Sequence, residues 1–471
     1  MTSHPFDYRI NAHVYSTPEF EAVFAEKAVY QRWLDFEAAL AAAQARHGVI
    51  PAAAAREIAA RAQLGAIDLD LVRRKYARSR NSVVPLLAGL RQACRGEAAD
   101  FVHFGATTQD VLDTGEILAL RRVLSLLYPE VRHLEKICLQ LADTHRATPM
   151  VARTHGQQAL PTTFGLKAVI WAAEIRRHIT RIKRLWDLLD YGQLSGAVGT
   201  YAALGDQGLE IAATAMALLG LKHRPLSWHT SRDDIGELSA AFSLLVATLA
   251  KIAGEIVQLQ KTEIGELSEP APPGALSSST MPHKRNPVIC QRIVATARLV
   301  KGLTGTMLDS LAHEHERDPR NLWAEWLLIP QLCIHTGYAA CAMRSVLDGL
   351  QVDTEKMRAN LHGRSHLITT EWLLFQLSAS LGKAGALEKL HTLTATGEKQ
   401  GITLKDAVLA DPEIGGLFSR RDLACLDHPE WYGGEAQRIV DLTLAEITEQ
   451  RREEPRSLQL KSHGYDRHEE L

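Results

Sequence analysis

The sequence lacks the marks of several large protein classes. Lysine and arginine, 53 together, nearly cancel aspartate and glutamate, 55 together, and no basic stretch stands out against the formal net charge of -2. That balance argues against nucleic acid as the main partner. The six cysteines, Cys94, Cys138, Cys290, Cys333, Cys341 and Cys425, are scattered, with neither a CxxC pair nor zinc-ligand spacing. Such usage fits a reduced cytosolic chain and not a disulfide framework. The start, MTSHPFDYRINAHVYS, has no basic region followed by an apolar run, and no later segment reads as long and apolar enough to span a bilayer. A soluble, cytoplasmic protein is the expectation. Strand signals are few and no internal repeat is visible, so the chain is expected to be mainly α.

Helix-forming sequence is abundant. A length of 471 residues exceeds one ordinary core, and two or three domains follow as the expectation. From Pro18 an alanine-rich pattern runs at helical spacing until Gly48 and Pro51 stop it, and a second follows through Ile58 and Ala62. Another helix covers Leu86 to Cys94. Longer patterns run from Asp110 towards His145, from Leu166 to Leu189, through Leu244 and Ile252 to Leu259, and through Ile293 and Leu299. Helices of this length need partners along their whole extent, which predicts a bundle. The tail from about Ser365 alternates helical runs with breaks at Gly382, Gly415, Pro429 and Gly433. Arg451 to Leu471 is charged and apolar-poor, and is expected to fray.

Polar breaks between the long patterns carry the chemistry. In VHFGATTQDVLDTG, Gly105 ends one pattern and Asp110 is a candidate cap for the next. Thr107, Thr108 and Gln109 then fall at a helix N-terminus, where backbone N–H groups and hydroxyls can hold a carboxylate or simply cap the helix. MVARTHGQQALPTTFGLK, Met150 to Lys167, reads as a second polar turn, with His155 between Thr154 and Gly156. The small-residue run Ser195 to Gly205 suits close packing. In SWHTSRDDIGEL, Arg232 either lies near substrate or pairs with Asp233 or Asp234. His313, Glu314, His315 and Glu316 do not have HExxH spacing, and no third ligand is evident, so no metal is expected. Gly274 to Pro287, GALSSSTMPHKRNP, combines hydroxyls with Met281, Lys284 and Asn286, while Pro282 and Pro287 exclude a regular helix. It reads as a shaped loop able to hold an anion.

Ser278 to Pro287, SSTMPHKRNP, resembles the signature loop SSxMPxKxNP of the fumarase/aspartase superfamily, with every fixed position present. GATTQD resembles that family's GxTSxD segment, and RTHGQQALPTTFGLK resembles its GRTHGxxAxPTTFGLK segment. The resemblance covers nearly the whole chain. It implies a mainly α, three-domain protomer: an N-terminal helical domain, 1–109; a central long-helix bundle, 110–360, carrying the loop 274–287; and a C-terminal helical domain, 361–471. It also implies a homotetramer around a core of about twenty helices, with each site assembled from three protomers.

The implied reaction is β-elimination from a substituted succinate, usually releasing fumarate, with no metal or organic cofactor. Ser278 matches the general base, with Ser279 the neighbouring hydroxyl. His155 matches the acid that protonates the leaving group or helps place the substrate. Thr107, Thr108, Gln109, Thr154, Met281, Lys284, Asn286 and Arg317, the arginine of a HERD-like segment, match substrate contacts. Charge gathering on the substrate carboxylate must meet preorganised donors, and Lys284 and Asn286 are the right types.

Within the family, GATTQDVLDTG, WHTSRD, LSEPAPPG and EHERDPRNLWAEW look most like the 3-carboxy-cis,cis-muconate cycloisomerase branch, yet His155 and Ser231 depart from it. Gln291 stands where several members carry a glutamate that pairs with the histidine. Adenylosuccinate lyases place polar nucleotide contacts where this chain has Val14-Tyr15, Asn81-Ser82, Leu322 and Trp326. The expectation is therefore a lyase expelling an amine, or another nitrogen or oxygen leaving group, with Trp323 and Trp326 suggesting one that is compact or apolar. A lactonising cycloisomerase is the alternative. A silent helical tetramer like the lens crystallins is a third, against which the intact Ser278, Lys284, Asn286 and His155 weigh.

Overall fold

A computed structural model describes residues 8–271, 280–281, 283–363 and 365–461. Ser278 and Ser279 therefore lie outside the described residues. The first helical pattern is split at Ala25, whose extended backbone separates α1 (Pro18–Phe24) from α2 (Glu26–Arg46). The break lets α1 pack on a late bundle helix while α2 enters the core. Every residue of α2 from Trp33 to Gln44 is buried, as expected of a helix surrounded on all sides. Shorter helices α3 (Ala52–Arg61), α4 (Leu69–Ser79) and α5 (Val84–Ala93) complete this end of the chain.

Five long helices form the bundle: α6 (Thr108–Thr144), α7 (Phe164–Leu188), α9 (Asp233–Leu259), α10 (Val288–Asp309) and α11 (Pro319–Asp348), with α8 (Gly208–Leu218) packed against α2. At 37 residues, α6 extends about 55 Å. It leans on α7 and α11, while α9 and α10 close the other side. Where α6 hands over to α7 the backbones nearly touch, since a Cβ on Gly165 would sit 2.5 Å from Arg146 Cα. One core joins residues from Phe20 to Leu458, so the N-terminal helices share it with the bundle.

By length and mean hydropathy, 1.7 over its most apolar window, α9 meets the criterion for a membrane span, contrary to the sequence reading. The apolar residues are spread round a helix that packs against α7, α10 and α11, which makes it a bundle helix.

Among the described residues, three two-stranded sheets punctuate the helices: antiparallel β1 (Pro149–Thr154) and β2 (Gln157–Thr163), parallel β3 (Tyr191–Gly192) and β4 (Lys222–His223), and antiparallel β5 (Leu267–Ser268) and β6 (Gln351–Val352). After α12 (Thr354–His362) and α13 (Ser365–Ile368), a second core forms between α14 (Thr370–Gln400), broken at Gly382, and α15 (Leu404–Ala410).

The final helix, α16 (Ala436–Arg452), returns to α6 and α7. The expectation of a frayed end from Arg451 fails as far as residue 461. Glu454 pairs with Arg176 at 2.7 Å, Lys183 at 3.0 Å and Arg132 at 3.2 Å, Arg451 pairs with Glu135, and Leu458 is buried. These charges are partners for the bundle, which composition alone does not reveal.

Candidate active site

The first turn of α6 is built by its cap. Thr107 is the N-cap, its hydroxyl accepting from the backbone of Asp110, while the Asp110 carboxylate accepts from Thr107 N at 3.0 Å. Asp110 thus sits three positions into the helix as the return arm of a capping box, and is not itself the cap. Three further donors converge on its carboxylate: Ser195 N, Gly196 N and His229 Nε2, each at 3.1 Å. The small-residue run packs here as expected, because Gly196, with φ of +78, brings its backbone close to Gly105.

Thr107, Thr108 and Gln109 line a cleft of about 660 Å³ between α6, the N-terminal helices and the start of α11. Arg317 joins them in the cleft wall. Its Nη2 donates to Ala197 O at 2.6 Å and to His229 Nδ1 at 3.1 Å, while its Nε has no partner among the described residues. The helix N-terminus and this guanidinium together favour an anion. Asn81, Ser82, Leu322, Trp323 and Trp326 line the same cleft, and Trp323 and Trp326 are exposed to it and not packed in the core.

Arg232 lies beneath the cleft with no side-chain exposure. Its partners are Asp113 at 3.0 Å and Glu325, which it grips through both Nε and Nη2, and not Asp233 or Asp234. Glu116, also in the cleft wall, approaches at 3.9 Å, and Arg232 stacks 4.8 Å from the Trp228 ring. Burial opposes the Arg232 charge, but Asp113 and Glu325 outweigh it and hold the guanidinium firmly protonated. Burial raises the carboxyl of Asp113, and raises Glu116 much further, with neighbouring Glu325 adding to the effect on Glu116. Asp113, Glu116 and Glu325 offer oxygens within 4.8 Å of one another, the ligand count of a cation site. The guanidinium already occupies their midst, which defines an ion-pair cluster.

Among the described residues, the other expected site residues do not line this cleft. The segment read as a polar turn is the β1–β2 hairpin, with Thr154 and His155 exposed at its tip. His155 and Gly156 have φ of 52 and 75, the pair of positive values that a two-residue type I′ turn needs. Arg153 clamps the hairpin to Glu266, just past α9, at 2.6 Å. Met281, Lys284 and Asn286 precede α10, with a turn from Lys284 N to Met281 O at 3.0 Å. Pro287 brings no side-chain acceptor to that helix start, and the Glu269 carboxylate substitutes, receiving Ile289 N at 3.0 Å and Cys290 N at 2.7 Å. Gln260 completes the brace by donating to Arg285 O and accepting from Glu269 N.

Thr107 begins α6, and the hairpin follows its end, so those two segments stand a full helix, about 55 Å, apart within one chain. Sequence reasoning missed His229, Asp113, Glu116 and Glu325. His229 lay in the quoted WHTSRD phrase, but only the fold brings it to Asp110.

A family model described as lyase matches residues 13–302. The chain is 35% identical to the N-acetyl-S-(2-succino)cysteine lyase of Dickeya dadantii, over 94% of this chain and 97% of that one. To the adenylosuccinate lyase of Methanothermobacter thermautotrophicus it is 36% identical, over 95% and 99%. The crystal structure of the 3-carboxy-cis,cis-muconate lactonizing enzyme from Pseudomonas putida superposes with a TM-score of 0.87 at 33% identity, covering 93% of this chain and 98% of that one. The chain belongs to the fumarase/aspartase superfamily of lyases.

Proposed function

We propose that this enzyme eliminates a nitrogen- or oxygen-centred group, an amine foremost, from a 2-substituted succinate and releases fumarate. In this reading Ser278 removes the proton next to the carboxylate that Lys284 and Asn286 stabilise, and Thr154 and His155 attend the substrate and its leaving group. Met281 and Ser279 shape the same loop. Thr107, Thr108, Gln109 and Arg317 hold an anionic end.

The observation that carries the choice of leaving group is the cleft wall. Leu322, Trp323 and Trp326 present apolar surface beside the anion-holding turn, which favours a compact or apolar group over a phosphorylated one.

The site is proposed to be shared between protomers of a homotetramer. Two of its segments stand at opposite ends of α6, and Ile170, Leu244, Leu299, Leu308 and Leu327 are exposed on four bundle helices that have apolar faces left to cover. The three domains 1–109, 110–360 and 361–471 belong to the same proposal.

The cycloisomerase is the second reading, and it needs one more carboxylate contact. Enclosure of Arg232 in its ion pairs removes one of the two arginines able to supply it. The relative acting on N-acetyl-S-(2-succino)cysteine adds a sulfur-centred leaving group to the alternatives.

The test incubates purified protein with millimolar fumarate plus a panel of amines, ammonia, nitrite and thiols, and separately with 3-carboxy-cis,cis-muconate, following ultraviolet loss of the conjugated acid. Loss of fumarate with one nucleophile class names the leaving group. Loss only of the muconate signal would overturn the lyase reading.

A further inference from the structure

We infer that His229 is a positioning residue that aims Arg317 into the cleft, with Asp110 fixing the imidazole in the one tautomer that can do so. The inference rests on the reading that Arg317 meets the substrate anion, and extends it to a histidine that touches no substrate.

The Asp110 carboxylate receives three backbone N–H groups, from Thr107, Ser195 and Gly196, and then faces His229 Nε2 at 3.1 Å. An ionised carboxylate only accepts, so Nε2 carries the proton. On the other side of the ring Nδ1 faces Arg317 Nη2 at 3.1 Å, and a guanidinium only donates, so Nδ1 carries none. The ring is 2% exposed and Asp110 fully buried, so water does not compete for the bond between them. Ala197 O takes the remaining Nη2 hydrogen at 2.6 Å. With both Nη2 hydrogens spent, the guanidinium plane is set on a residue of the cleft wall, its Nε buried without a hydrogen-bond partner among the described residues. The same carboxylate closes the capping box of Thr107. A single buried group therefore sets both anion-holding parts of the cleft, the α6 turn and Arg317.

Fumarate binding to the full-length oligomer, measured by calorimetry, tests this without requiring the substrate to be known. Arg317→Ala is expected to weaken fumarate about ten-fold, and His229→Ala to lose most of the same factor. His229→Gln keeps an acceptor for Arg317 and a donor for Asp110, and is expected to stay within about three-fold of the parent. His229→Met, of similar bulk but with no comparable acceptor, is expected to fall with the alanine variant. If His229→Ala does not fold, the Gln and Met pair carries the comparison. The His229→Met, Arg317→Ala double variant should bind no more weakly than Arg317→Ala alone, because the histidine acts through the arginine. A His229→Met protein with the parent's affinity, a glutamine variant no better than methionine, or losses that multiply in the double variant would overturn the inference. If the parent itself binds no fumarate, the lyase reading falls and takes this inference with it. Failure of the His229 variants alone leaves the lyase reading standing.

Discussion

Arg232 and Glu116 show how far burial, more than residue type, decides what a charged group does. The partners of Arg232 come from α6 and α11, 119 and 93 residues away in sequence, so of its two expected roles the pairing with neighbouring Asp233 or Asp234 is wrong. Three carboxyls surround one guanidinium, and two charges of one sign in a buried site are not both sustained without compensation. Glu116 is the group that yields, its carboxyl raised by burial and by neighbouring Glu325 well above the ordinary glutamate value of 4.5. A folded-state pKa that is raised contributes full stability below the unfolded value and loses it as pH rises towards the folded one. Glu116→Gln keeps the shape and the donor of the neutral acid but does not titrate. Its unfolding free energy, read by urea titration, should match the parent near pH 4 and exceed it increasingly towards pH 7, at up to about 1.4 kcal/mol per pH unit. A constant difference across that range would mean that Glu116 is ionised in the folded protein.

At the scale of elements, the positions of the long helices were legible because each combines apolar periodicity with punctuation that the backbone must obey. Gly48, Pro51, Gly382 and Pro287 all fall at breaks or element ends. Connections were less legible. The β1–β2 hairpin is only thirteen strand residues long, and its turn uses a histidine at positive φ, where sequence patterns expect Asn or Gly. The role of the chain end was invisible for a different reason: a charged, apolar-poor segment docks when its charges meet buried partners, and those partners lie in α6 and α7. Burial pushes the Glu454 carboxyl up, and Lys183 and Arg176 outweigh it, leaving the group below the ordinary range. A depressed folded pKa contributes stability above the unfolded value and loses it as pH falls through the folded one. Glu454→Gln should therefore cost about 3 kcal/mol at neutral pH, because Arg132 and Arg176 lose a buried counter-charge. The gap from the parent should narrow below pH 4.5. Urea unfolding at pH 7 and pH 3.5 reads both, and equal losses at the two values would deny the ion pairs that role.

At the scale of the molecule, the start of α6 stands apart, among the described residues of one chain, from the hairpin that follows the end of that helix. The cleft with Thr107, Gln109 and Arg317 belongs to the start of α6, whereas the His155 hairpin follows the end of that helix and is tied to the end of α9 by Arg153 and Glu266. The segment before α10 is braced to α9 through Gln260. A rigid helix of this length cannot fold its two ends together, so a site that needs both must borrow one end from another protomer. Sequence resemblance implied a site shared between protomers, and the length of α6 supplies the separation that supports that proposal. Complementation tests it directly. Arg317→Ala and Lys284→Ala homomers should each be nearly inactive. After the two proteins are mixed, unfolded and refolded together, some sites should receive an intact cleft from one protomer and an intact loop from another. With random assembly about a quarter of sites are whole, and activity should recover towards that fraction. Mixed oligomers, verified by mass, that remain as inactive as either parent would place both residues in a site built by one chain.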